Sequence, residues 1–217
     1  MLFTIEGLPH LPQSDDRATV FAMASGKTLA IPSPPVVGEV SRELHDVAVV
    51  VRLAASALAA LEKGRRAAVA DKTLSDLGRA KATEALQAAA ESAAAEASGK
   101  LEGLSQAVTD LEGIVFGPPL LEPTDVVAGL QDLEIRNHLR ELPSGQQGTQ
   151  MAAIGKNHRL LQAVVRSPVP LPPFSEHADR LWRDIQSGAH PRSGELARLR
   201  AAVAWGKIAL PSIARHI

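Results

Sequence analysis

Apolar positions in this chain recur with two different rhythms, and the change between them divides the sequence. Leu44, Val47, Val51, Ala54, Leu58 and Leu61 follow one another at alternating spacings of three and four. That is the seam of a helix packed along its length against another helix. Leu101, Leu104, Val108, Leu111 and Val115 repeat the same alternation. Between the two seams, Gly64, Arg65 and Arg66 and then the polar stretch Asp71, Lys72, Thr73 interrupt the pattern. Thr73 or Ser75 is placed to cap the helix that follows. From about residue 75 to about residue 111 that helix would be about 50 Å long. Two long helices joined by a short connection predict an antiparallel hairpin over residues 39–116.

Gly117, Pro118, Pro119 and Pro123 then break the chain. Four shorter helices are predicted beyond them, in a C-terminal helical domain spanning 124–217. The first covers 125–142, capped by Thr124 with acidic Asp125 in its first turn, where the helix dipole favours it. The second starts at Ser144 or Thr149 and reaches about residue 166, ahead of Pro168, Pro170, Pro172 and Pro173. Ser175 caps a third to about 187, and Ser193 a fourth over 195–209. The first 38 residues differ. Five prolines and three glycines exclude long helices there, and short runs at 2–5, 19–23 and 28–31 read as strands, the last two joined across Ala24-Ser25-Gly26-Lys27. The fold class is therefore mainly α: a long antiparallel helical hairpin, then a small cluster of shorter helices, with an irregular or short-β N-terminal arm over 1–38.

Composition adjusts this picture in three ways. Apolar residues make up 45% of the chain but aromatic residues only 3%. A core of Ala, Leu and Val favours helices and buries little area per residue, so a partner or self-association would add stability. The absence of cysteine excludes disulfides, thiolate catalysis and Cys-ligated metals. A formal net charge of −1 removes the simplest argument for nucleic acid, and no long uncharged apolar run predicts a membrane span.

Few residues carry recognisable chemistry. Ser25-Gly26-Lys27-Thr28 resembles the end of a phosphate-binding loop, but Phe21 stands where the pattern needs glycine, and Pro32, Pro34 and Pro35 forbid the helix that should follow. Glu134, His138 and Glu141 share a helix face at a spacing that could hold a metal, but such a trio more often forms a solvated face paired with Arg136, Arg140 or a neighbour's charge. The seven histidines include no pair at ligand spacing, and no nucleophile elbow is present. The expectation is no enzyme, no cofactor and no metal. Arg136, Arg140, Lys156, Arg159 and Arg166 are candidate phosphate contacts for a nucleic-acid reading, without aromatic residues beside them for base stacking. Trp182 and Trp205 read as anchors of the C-terminal core. An interface role is their alternative, which places them with Leu2, Phe3, Ile5 and Phe21 of the arm as candidate interface residues.

The run Glu134-Ile-Arg-Asn-His-Leu-Arg-Glu-Leu142, then Met151-Ala-Ala-Ile154, then Leu160-Leu-Gln-Ala-Val-Val-Arg-Ser-Pro168 precedes a Trp-containing helix. Together with Asp71-Lys-Thr-Leu-Ser-Asp-Leu-Gly-Arg79 before an alanine-rich helix, it resembles uncharacterised helical proteins encoded among the structural genes of tailed bacteriophages. The resemblance covers roughly residues 71–210. It implies a virion protein of the capsid, neck or tail, assembled in the host cytoplasm, with other virion proteins as partners in a symmetric assembly. Self-association through the hairpin is a second mode of contact. The alternative is a nucleic-acid-associated helical protein using the basic face of residues 136–166.

Overall fold

The computed structural model describes residues 18–23, 28–35 and 42–217. Among these the chain is mainly helical, with one two-stranded antiparallel sheet: β1 (Ala18–Ala22), β2 (Thr28–Pro32), α1 (Arg42–Ala70), α2 (Asp76–Phe116), α3 (Val126–Glu141), α4 (Ser144–Ile154), α5 (His158–Val165), α6 (Phe174–Ala189) and α7 (Ser193–Ala214). They form two compact units. One holds the described residues up to Thr109 together with Ala197–Ile217, and the other holds Asp110–Leu196.

In the first unit α1 and α2 pack closely, but the second seam enters this unit only through Leu101, Leu104 and Val108, because Leu111 and Val115 belong to the other unit. Val47, Val51, Ala54, Leu58 and Leu61 are all buried, as is Leu101 on α2. The turn between the helices is closed by Asp71, which accepts hydrogen bonds from the backbone N–H and hydroxyl of Thr73. Those bonds, the hydroxyl's first, hold the Asp71 carboxyl below its usual range. Ser75 then caps α2 by accepting from the Gly78 N–H at 3.2 Å. Contrary to the expected interruption, α1 runs unbroken through Gly64, Arg65 and Arg66. A Cβ at Gly64 would overlap the end of the Leu86 side chain of α2, which would have to turn aside. Arg65 turns inward to the buried Glu62 at 3.1 Å and to Gln87 Oε1 at 2.7 Å. It also reaches the main-chain oxygens of His216 and Ile217, which ties the last turn of the chain to the hairpin. By length and composition alone α1 would suffice to cross a membrane. The same apolar length is what the central helix of a bundle requires.

Residues 197–217 belong with this unit and not with residues 110–196, which differs from the expected C-terminal domain of 124–217. The reason is packing across large sequence distances. A Cβ at Gly206 would lie 2.8 Å from both Val47 on α1 and Leu101 on α2, so the close approach of α7 is made easier by glycine and a larger residue would push one of those side chains aside. Helix α7 also continues past its predicted end, with Pro211 inside it. Leu210 and Ile213 are both buried, and their packing outweighs the one backbone hydrogen bond that Pro211 cannot make. The β1–β2 hairpin pairs Phe21 with Leu29 and Thr19 with Ile31. Its apolar face of Phe21, Met23, Leu29 and Ile31 is buried, and the Trp205 indole N–H of α7 donates to the Pro32 carbonyl at 2.7 Å.

The second unit is a cluster of short helices around Leu139, Ile154, Leu161, Val164, Leu171, Phe174, Ala178 and Trp182. Its helix starts correct the predicted caps. Asp125, not Thr124, caps α3 by accepting from the Ala128 N–H at 3.0 Å. The single helix expected to reach about residue 166 is two, because Asn157 accepts from the N–H groups of Arg159 and Leu160 and starts α5 afresh. Ser175 lies inside α6, where its hydroxyl accepts from the Leu171 N–H instead of capping. The Trp182 indole donates to the Gly117 carbonyl at 3.1 Å, and Arg183 stacks 5.2 Å above Phe116.

Candidate functional site: an outward apolar face on α3 held by a buried ion cluster

Helix α3 carries apolar residues on two opposite sides. The helical repeat puts Val126, Leu130 and Leu133 on one line, with Val127 beside it and Asn137 and Glu141 continuing it. The opposite line holds Asp132, Ile135 and Leu139. Hydrophobic burial alone would turn the first line inward, because the second contains a carboxylate. The structure does the reverse. Asp132 is 1% exposed, while Val126, Val127, Leu130 and Leu133 are 64, 66, 57 and 47% exposed.

Two arginines of the α5 segment explain the choice. Arg166 closes a two-pronged contact on Asp132, with Nε at 2.8 Å from Oδ2 and Nη2 at 3.0 Å from Oδ1. Arg159 Nη2 adds a third bond to Oδ1 at 2.9 Å and also reaches the Ala128 carbonyl. Arg136 of α3 donates in return to the Arg166 carbonyl at 3.3 Å. Charge-assisted, bidentate bonds of this kind are strong and geometrically selective. A buried ion pair adds little net stability over an apolar pair, but it admits only one rotation of the helix about its own axis. Turning α3 to bury Leu130 would leave the Arg166 side chain, 10% exposed, without its counter-charge. The cluster thus fixes an apolar stripe on the surface.

Several sequence-predicted sites are corrected by this geometry. Arg159 and Arg166 are engaged with Asp132, so the five expected phosphate contacts do not form one free basic stripe. Arg140 and Lys156 are exposed, and Arg140 donates to Asn137 at 3.0 Å. Trp182 is buried in the cluster of short helices, as its reading as an anchor of the C-terminal core expects, while Trp205 is buried against the β hairpin and Phe21 within it, so none of the three offers the exposed surface of the interface alternative. Leu2, Phe3 and Ile5 lie outside the described residues, as do Ser25, Gly26 and Lys27 of the loop-like motif, while Thr28 opens a strand. Glu134, His138 and Glu141 are all exposed on α3, and no trio of potential metal ligands gathers among the described residues. In the first unit, small side chains leave an open groove of about 430 Å³ between α2 and α7, lined mainly by Ala54, Ala94, Leu101, Leu210 and Ala214.

Sequence reasoning passed over Asp132, although its signal is visible. A lone carboxylate three and seven residues ahead of Ile135 and Leu139 sits on an apolar line, and such a group needs a buried cation. No protein family matches the chain, nor does any curated protein or solved structure.

Proposed function

We propose that this chain is a non-enzymatic structural component that acts by protein–protein contact, with the outward face of α3 as a docking surface. The observation that carries this reading is the exposed stripe of Val126, Val127, Leu130 and Leu133, held outward by the Asp132 cluster. Together these side chains offer on the order of 400 Å², about the size of the largest apolar patch on an ordinary single chain, which is often functional. The sequence resemblance supplies the setting, a minor capsid, neck or tail position in a tailed-phage particle. The nucleic-acid alternative loses support because two of its five cations are occupied internally. The experiment is to purify intact particles, treat them with nuclease, and measure the copy number of this chain. A fixed stoichiometry that survives nuclease is expected. Absence from particles, or release by nuclease, would overturn the proposal.

A further inference from the structure

The groove between α2 and α7 carries two opposite charges that do not meet. Its floor is apolar and buried, formed by Ala54 of α1, Leu101 of α2 and Leu210 of α7. Glu102 stands on the α2 wall and Lys207 on the α7 wall, and these are the charged residues that line it. Both are exposed, and neither has an ion-pair partner among the described residues. One turn beyond Glu102, the hydroxyl of Ser105 is buried without a hydrogen-bond partner. Other helical hydroxyls, those of Thr83, Thr109, Ser187 and Ser212, bond to the main-chain carbonyl one turn back, and that of Ser105 does not. Pro211, also on the groove, has no N–H to offer the Lys207 carbonyl four residues earlier. Past Lys207 the groove leads into a smaller recess of about 300 Å³ with Arg200 on its wall, but Arg200 is already engaged.

We propose that this groove binds a zwitterionic amphiphile, an apolar chain whose head carries an ammonium and a carboxylate side by side, as in an apolar α-amino acid. A cleft of this size between the helices of a bundle, apolar with a few polar groups, is the usual form of a small-molecule site. The ligand's chain lies on the floor of Ala54, Leu101 and Leu210. Its carboxylate takes the Lys207 ammonium and the Ser105 hydroxyl, and its ammonium takes the Glu102 carboxylate and the Lys207 carbonyl. A purely anionic head would set a like charge against Glu102, and a purely cationic head would do the same to Lys207. Only a head with both charges answers both walls. The site lies in the first unit and does not depend on the α3 stripe, which belongs to the second.

The test uses three probes that share one tail and differ in the head: α-aminodecanoate, decanoate and decylamine, each kept below the concentration at which it forms micelles. Their binding to the full chain at neutral pH is followed by titration calorimetry at about 150 mM salt, where screening suppresses diffuse attraction. α-Aminodecanoate should bind at least about tenfold more tightly than either of the others. Glu102→Gln should bring it down to the level of decanoate, and Lys207→Gln to the level of decylamine, because each variant leaves one charge of the head unanswered. Ala94→Leu fills the groove and should abolish binding of all three probes, with unchanged helicity as the control for folding. Ser98→Leu, on the exposed rim, is a second blocking variant that does not touch the core. No saturable binding by the wild-type chain, or binding that persists in both blocking variants, would overturn the site. Equal binding of the three probes, or an order that neither charge variant changes, would overturn the zwitterionic ligand.

Discussion

Replacing Asp132 by Asn is expected to destabilise the unit of residues 110–196 by about 3–5 kcal/mol, the cost of breaking a buried ion pair by removing one partner. The change keeps the side-chain shape but removes the charge and turns one of the two acceptor oxygens into an N–H donor facing the arginines. Arg166 is then left almost wholly buried without a counter-ion, and Arg159, about a third exposed, can turn partly to water. Most of the loss therefore belongs to Arg166. Denaturant unfolding followed by Trp182 fluorescence in a Trp205→Phe background reports this unit. Replacing Asp132, Arg159 and Arg166 together by apolar residues should recover much of the stability, since a packed apolar set needs no counter-charge. The triple variant should nevertheless lose the fixed orientation of α3. A loss below about 1 kcal/mol for Asp132→Asn would mean that the cluster is solvated and the orientation argument fails.

Trp205→Ala is the second large effect, at about 3–5 kcal/mol for a buried tryptophan reduced to alanine. The indole is buried where α7 meets the β hairpin, and its N–H bond to the Pro32 carbonyl is the tether. Trp205→Phe keeps most of the ring and loses that bond, so it should cost only about 1 kcal/mol beyond the ring-size change. Amide exchange along the β1–β2 ladder should rise sharply in Trp205→Ala and slightly in Trp205→Phe. Unchanged protection of those amides in Trp205→Ala would show that the hairpin is held by something else.

What could be read from the sequence follows from the range of the interactions that decide each feature. The two long helices and the turn between them are local. The three-and-four spacing through Val47, Val51 and Leu58 and the Ser75 cap carry that information within a few residues. The break before α5 was also local and was missed, because the apolar pattern runs past Asn157 while its side chain caps a new start. The grouping of residues 197–217 with the hairpin was not legible. It depends on the absence of a side chain at Gly206 against residues more than one hundred positions away, and on Arg65 reaching Ile217. Pro211 misled for a related reason, since its local cost is outweighed by tertiary burial on either side. The candidate site was half legible. Periodicity assigns the two faces of α3 but cannot say which faces inward, and that is decided by two arginines supplied by the segment around α5.

The central claim is that Leu130 and Leu133 serve a partner and not the chain's own core. On the virion reading proposed above, it is tested most directly by the incorporation of the Leu130→Asp, Leu133→Asp protein into particles, with its unfolding curve as the control for folding. Both side chains are about half exposed or more, so stability should change by no more than about 0.5 kcal/mol per site. Incorporation should be lost. A folded double variant that enters particles at the wild-type copy number, or one that no longer folds, would contradict the account.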